Sequence, residues 1–519
     1  MPPPKPTGLS LRQKIAQLIF IAASGSPSRP REGAEFDTVR QLLDDGEFGG
    51  LLVFGGSIYE TPMQINTLQR FSKLPLLVTA DLERGAGQQI QGATDLPPPM
   101  AIGATGSETH AHFAGKVTAL EAKTFGIHWV FAPVMDVNTE PRNPIINTRA
   151  FSDAPALVSK LGVAYTKGMQ SAGVSACAKH FPGHGATPLD SHVVLPTVDH
   201  DRARLDREAL PPFVAAAKAG VDSVMVGHIT LPALDPKLPA SLSPATMRVL
   251  REEIGFKGLI VTDALMMGAL STFGSPAALA LAAGADVLLY PENPMVALSD
   301  CIEAVESGKI PESRVHEALE RVLALKERRR LFDERSVSAE TMEAIPAHEY
   351  HTRAAEKLAH DALAWARKGD GAVFEKGRKL SVLIVRDDDF AAGPDPFLAA
   401  LRERAPVEFA SAKPGEPLPE VPKGESLVVA VYARVRAWKG RVGLHEELEK
   451  FCGGVVTGRR ATAVSFGNPY FANQIPAPSF LCAWSDSPAA QRGAAMALFG
   501  ELPAGGRVPV QLQGAGGSW

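Results

Sequence analysis

The feature that most restricts this chain is a repeated alternation through its first two thirds. Eight short apolar runs rich in β-branched residues recur, at 18–22, 50–54, 76–80, 129–133, 174–178, 223–226, 259–262 and 287–289. Each is nearly continuous rather than alternating, the pattern of a parallel strand buried on both faces. The stretches between them carry helix signals. Ser243 is placed to cap a helix with Pro244 in its first turn; Met247, Leu250 and Ile254 mark a buried face, and Gly255 stops it. Val315, Leu319, Val322 and Leu325 give a further apolar stripe. About eight βα units predict a closed parallel barrel of the (β/α)8 TIM type, with long loops because the segment exceeds the usual length.

Beyond residue 331 the rhythm changes. A polar helix is expected over 351–368, then a Gly/Lys-rich stretch, then new strand-like runs at 380–385, 427–431, 463–466 and 480–483 with helices over 396–404 and 488–498. The fold class expected is therefore α/β: a barrel over 1–340, a helical linker over 341–370 and a smaller α/β/α sandwich domain over 371–519.

Composition removes several functions. In 519 residues, 53 Lys+Arg against 57 Asp+Glu give a net charge of −4 without basic blocks, which argues against nucleic-acid partners. No apolar run is long enough for a membrane span. Cys177, Cys301, Cys452 and Cys482 are scattered without a C-x-x-C, so neither a disulfide scaffold nor a zinc ribbon is indicated. Lys5, Arg12 and Lys14 ahead of residues 15–23 resemble a short signal peptide. However, Leu11, Ile15, Leu18 and Ile19 fall on one helical stripe, and Gln13, Lys14 and Gln17 interrupt the apolar segment. A cytoplasmic location is the expectation.

In a parallel barrel the chemistry belongs at the C-terminal ends of the strands. Nearly every run here exits onto a polar or ionisable residue. The third is followed by Asp81, Glu83 and Arg84, and the fourth by Asp136 and Asn138. Lys179 and His180 follow the fifth, His228 the sixth, Asp263 the seventh and Glu292 the eighth. The densest segment is 179–192, K-H-F-P-G-H-G-A-T-P-L-D-S-H, whose glycines and prolines make it a shaped loop. His180, His184 and His192 suit a metal ion; equally, Asp190 can hydrogen-bond one ring nitrogen of His192, fix its tautomer and make it an acid–base catalyst. His184 reads as a residue that pins the loop. Asp263, in V-T-D-A-L-M-M-G, is suited to be a nucleophile, a metal ligand or a loop cap, while Met266 and Met267 read as packing.

These segments resemble glycoside hydrolase family 3, in particular its bacterial β-N-acetylglucosaminidases. The 179–192 loop looks like their signature, and V-T-D-A-L-M-M-G looks like their nucleophile motif. A-D-L-E-R-G at 80–85, A-P-V-M-D-V at 132–137, N-T-R-A-F at 147–151 and F-G-E-L-P-A-G-G-R-V-P-V at 499–510 match further. The resemblance implies retaining hydrolysis of terminal β-linked N-acetylglucosamine, with Asp263 as nucleophile and His192, paired with Asp190, as acid/base. Asp81, Arg149, Lys179 and His180 match positions that hold the sugar, and Asp136 and His228 are grouped with them. Most retaining enzymes use two carboxyl groups, so His192 departs from the common pattern; a pKa of about 6.5 lets an imidazole donate and then accept near neutral pH.

No metal or cofactor is implied. The implied partners are carbohydrates, either muropeptides or chitooligosaccharides. A phosphorylase or a β-glucosidase on the same scaffold, and a metal-dependent hydrolase, are the competing enzymes. A catalytically silent sugar-binding protein would have lost Asp263 or His192, and both are present. Two positions depart from the family pattern: Gln89 stands where many members have arginine, and Ala186 where many have an acidic residue. The second domain is expected to scaffold the barrel or set substrate length, with the loop 437–446 near the barrel mouth.

Overall fold

The computed structural model describes residues 8–26, 36–344, 349–387, 391–424, 426–435 and 441–512. Eight parallel strands form the first sheet: β1 (Ile19–Ser24), β2 (Gly50–Phe54), β3 (Leu77–Ala80), β4 (Trp129–Val130), β5 (Ser175–Phe181), β6 (Ser223–Val226), β7 (Leu259–Thr262) and β8 (Leu288–Leu289). They lie in the order β7-β6-β5-β4-β3-β2-β1-β8, and a parallel bridge between Val261 and Val287 joins the two ends into a barrel. Apart from the half-buried Phe54 at the end of β2, every strand residue is buried, which is why the runs carry no polar face. Ser243 Oγ accepts from Thr246 N (3.1 Å) and caps the helix Pro244–Arg248, as the capping signal requires. The stripe at 315–325 is the buried face of the helix Glu312–Arg328.

Two strands differ from the expected runs by more than one residue in length. β4 stops at Val130, ahead of Pro133, which has no N–H to extend a ladder. β5 runs three residues further than expected, so Lys179, His180 and Phe181 end a strand rather than begin a loop. Paired charges hold this extension.

The second sheet comprises β9 (Ala364–Arg367), β10 (Leu380–Arg386), β11 (Val407–Ala412), β12 (Ser426–Tyr432), β13 (Arg460–Ser465) and β14 (Ser479–Cys482), in the order β11-β10-β12-β13-β14-β9. All its pairs are parallel except β14 with β9. Alternate residues of β10 and β12 feed two cores: Leu383, Val385, Leu427, Val429 and Val431 face one side, and Val382, Ile384, Val428 and Ala430 the other. The helix expected over 351–368 is Glu349–Asp361; the four residues after Leu363 form β9 instead, because they complete the edge of this sheet. β11 is an edge strand with a half-exposed face, too polar to stand out as a run.

The two units share a core. Met100, Ala101 and Ala104, on the helix Pro99–Thr105 of the barrel segment, belong to the cluster beneath the second sheet. The C-terminal stretch crosses the same helix: Arg507 N donates to Ala104 O (2.9 Å), Ser152 Oγ to Pro509 O (2.5 Å) and Gln511 N to Asp153 Oδ2 (2.6 Å). Buried Asn138 Nδ2 donates to Tyr470 Oη across the junction (2.9 Å). Among the described residues no helix is long and apolar enough to cross a membrane. Replacing Tyr470 with Phe keeps the ring but leaves the Asn138 amide without its acceptor, at a cost of about 1–3 kcal/mol. A lowered urea-unfolding midpoint relative to wild type is the expected result, and an unchanged midpoint would show that the junction does not depend on this bond.

Candidate active site

A cavity of about 410 Å³ opens at the C-terminal ends of the barrel strands. Asp81 reaches it from the exit of β3, Arg149 from the segment after β4, and Lys179 and His180 from β5. His192 comes from the loop beyond β5 and Asp263 from the exit of β7. Six of the nine residues expected to form the site thus line one concavity of a size suited to a small ligand. Asp190, Asp136 and His228 stand behind the lining, each bonded to a residue of the site or its loops.

Burial decides the electrostatics on the β3–β5 side. Lys179 is 2% exposed, and its ammonium donates to Asp81 Oδ1 (2.6 Å) and lies 2.7 Å from Glu83 Oε1. Arg149 grips the same Glu83 through two bonds, Nε to Oε2 (2.8 Å) and Nη2 to Oε1 (2.7 Å), while Nη1 donates to Ile145 O (2.8 Å). Burial alone would discharge Lys179 and Arg149, but the carboxylates beside them raise both above their ordinary values. Burial likewise opposes the charge on Glu83, and Arg149 and Lys179 hold it well below the carboxylate range. The three side chains are charged because each is the condition for the others.

The histidines are oriented by a second set of bonds. Asp136, fully buried, takes His180 Nδ1 on Oδ2 (2.7 Å) and the backbone N–H of His184 on Oδ1 (2.6 Å). Burial pushes its pKa up, and His180 and His184 more than reverse that. His184 Nε2 meets Ser191 Oγ (2.9 Å), and burial lowers its pKa to about 4, so it is a neutral ring that ties the start of the loop to its end. His192 Nδ1 lies 2.8 Å from Asp190 Oδ1, which also accepts the His192 N–H (2.9 Å).

Asp263 sits at the exit of β7, where its N–H donates to Val226 O (2.9 Å) and its Oδ1 accepts from Ala264 N (2.8 Å). The next turn is pinned to the exit of β8: Leu265 N donates to Leu289 O (2.8 Å) and Met266 N to Tyr290 O (3.0 Å). His228 Nε2 lies 3.0 Å from Ala264 O, which can only accept, so Nε2 carries the hydrogen. Nδ1 then takes the Ser241 hydroxyl (2.7 Å), consistent with a pKa lowered chiefly by burial. Burial pushes the Asp263 carboxyl up, but His180, His228, His192 and the Ala264 N–H outweigh it and bring it to about 2.

The cavity also has walls that no strand exit announced as such. Glu83 was visible as an exit residue, but its double grip on Arg149 was not. Tyr290 follows β8, and its place in the wall has no local signal. Val435, just past β12, brings the second domain to the cavity. Of the loop 437–446, residues 437–440 lie outside the described residues, while Arg441 pairs with Asp387 of its own domain (2.8 and 3.0 Å). Gln89 lines the cavity and accepts from Gly55 N through Oε1 (3.2 Å), whereas nothing in the structure explains Ala186. Among the described residues no group of three or more His, Cys, Asp or Glu converges as a metal site would.

Comparison with known proteins places this arrangement. A β-N-acetylglucosaminidase/β-glucosidase of Cellulomonas fimi is 29% identical over 499 residues, 89% of this chain and 88% of its own. β-Hexosaminidase A of Pseudoalteromonas piscicida is 36% identical over 327 residues, about half of either chain (55% and 54%). The solved glycoside hydrolase family 3 β-N-acetylglucosaminidase of Paenibacillus sp. FPU-7 superposes with a TM-score of 0.85 at 29% identity, covering 97% of this chain and 99% of that one. Residues 10–325, which include the barrel strands and every lining residue of the cavity except Val435, match the model of the glycosyl hydrolase family 3 N-terminal domain, and the chain belongs to that family of glycoside hydrolases.

Proposed function

We propose that this protein is a retaining exo-β-N-acetylglucosaminidase acting through a covalent glycosyl-Asp263 intermediate. The observation that carries the reading is one cavity lined by both an ionised Asp263 and a carboxylate-backed His192. In the first step an Asp263 oxygen attacks the anomeric carbon while His192 gives its proton to the departing glycosidic oxygen. Asp190 holds Nδ1, which makes Nε2 the nitrogen that exchanges the proton, and stabilises the imidazolium from which it leaves. In the second step the neutral His192 takes a proton from water, and the hydroxyl oxygen displaces Asp263 from the sugar.

Lys179, Arg149, Asp81 and His180 offer donors and acceptors to sugar hydroxyls. The hexosaminidase names of the relatives support an N-acetylated sugar in this position. The charge balance disfavours phosphate as the second acceptor. The cations in the cavity, Lys179 and Arg149, are already engaged by Asp81 and Glu83, so an incoming dianion meets no uncommitted positive charge.

The test is turnover of an aryl β-N-acetylglucosaminide against the matching glucoside by wild type, Asp263→Asn and His192→Ala. The N-acetylated substrate should be preferred, and Asp263→Asn should be inactive on both. His192→Ala should lose about 10²- to 10⁴-fold in kcat, and less with a strongly acidic phenol that leaves without help. Equal turnover of the glucoside would overturn the sugar assignment, and an active Asp263→Asn would overturn the nucleophile.

The pH profile gives a second check. The nucleophile must be ionised, and a carboxyl at about 2 is ionised throughout the range above about pH 4. Depressing that pKa moves the acid limb downward, so kcat/KM should not fall between about pH 6 and pH 4. An acid limb centred near an ordinary carboxylate pKa would contradict the role given to Asp263.

A further inference from the structure

A second cavity, of about 480 Å³, lies beside the first, between the loop after β7 and the segment after β8. Met266 and Met267 line both, so the two cavities meet at these side chains. Its position relative to the proposed chemistry is given by one contact: Gly268, in its wall, donates its N–H to His192 O (3.3 Å). A side chain at Gly268 would lie 3.0 Å from that same carbonyl, so the two loops are in direct contact. A leaving group protonated by His192 departs on the His192 side, and on that side it meets this wall.

The chemistry of the second cavity is one-sided. Met266 and Val296, 41% and 52% exposed, give it an apolar rim, and Glu292 and Asp300 are its ionisable residues. Among the described residues no Lys, Arg or His lines it. Asp300 is held by the Ser275 hydroxyl (2.6 Å), and Glu292, the polar exit of the eighth strand, is exposed and takes no part in the catalytic cavity. A saccharide with apolar faces and acetyl methyls can cover Met266 and Val296, whereas an added carboxylate would face two others with no cation to offset them.

We infer that this cavity receives the aglycone and that Glu292 and Asp300 select an uncharged amino-sugar there over a carboxylate-bearing one. The inference rests on the activity proposed above and narrows it to chitooligosaccharides in preference to muropeptides. Selection acts through the charge of the leaving sugar and leaves the N-acetylglucosaminyl unit untouched.

The experiment uses two disaccharides, both with an opened reducing-end residue, that differ by one charge: N,N′-diacetylchitobiose reduced to the alditol, and the same disaccharide oxidised to the aldonate. Wild type should favour the neutral one in kcat/KM by about fivefold or more, the scale of one exposed like-charge contact. Added salt should narrow that ratio. Glu292→Gln should bring the ratio toward one, and Val296→Lys should carry it toward the anion. A wild-type ratio of one or below, or a ratio that neither variant moves, would overturn the inference. Failure of the aryl substrate itself would overturn the activity reading instead, and the inference with it.

Discussion

The geometry of the site depends on burying opposite charges together at the open end of a closed parallel barrel. An ammonium as deeply buried as that of Lys179 is unfavourable unless paired, and removing one partner of such a pair typically costs about 3–5 kcal/mol. Lys179 has two carboxylates within 2.7 Å, and Glu83 carries both Lys179 and the fork of Arg149. Those partners come from the exit of β3, the segment after β4 and the end of β5. Satisfying the charges therefore fixes three chain segments against one another. The same argument explains why β5 extends to Phe181: Lys179 and His180 are held by Asp81, Glu83 and Asp136, and the strand continues as far as its polar residues find partners.

Asp136 repeats the device with different chemistry. One carboxylate serves the ring of His180 and the backbone of His184, and the neutral His184 passes the constraint on to Ser191, next to His192. The result is a loop whose two ends are tied while its exposed residues stay free of the core. Asp263 benefits from the surrounding imidazoles. Desolvation alone would make it a weak acid and a poor anion, and the imidazoles beside it together with the Ala264 N–H bring its pKa down to about 2. Within the catalytic cavity the charges otherwise cancel in pairs. A site of this kind holds a neutral sugar by placed hydrogen bonds rather than by a net field, in keeping with a chain of net charge −4.

How much of this was legible in the sequence follows from what each signal depends on. Barrel strands must be apolar on both faces, so residues such as 51–53 and 259–261 announced themselves. The strand exits did so too, because Asp263 or Lys179 directly after an apolar run has no packing reason to be there. What could not be read locally was pairing across distance. Glu83 and Arg149 are 66 positions apart, and Asn138 and Tyr470 are 332 apart. β9 was hidden because Ala364–Arg367 follows a helix with no Gly or Pro between, and its strand character comes only from the open edge of β14. β11 was hidden because an edge strand can afford Glu408 and Ser411. Val435 had no signal at all, since only the docking of the second sheet on Met100, Ala101 and Ala104 brings it to the cavity.

That docking bears on how the work is divided between the units. A second domain that must supply a proton donor has to present an acidic side chain at the mouth. Here the donor proposed for the reaction, His192, is already in the barrel, and among the described residues what arrives from the second domain at the cavity wall is the aliphatic Val435. An aliphatic group cannot exchange protons or bind a hydroxyl, but it can exclude water and limit the shape of what enters. The buried charges on the β3–β5 side sit on strand ends locked by ion pairs. The selection proposed at the rim needs only shape and charge, which Val435, Met266 and the segment around Glu292 can supply. Such residues can change without disturbing the buried pairs, so one barrel can keep its chemistry while its leaving-group preference is reset at the rim.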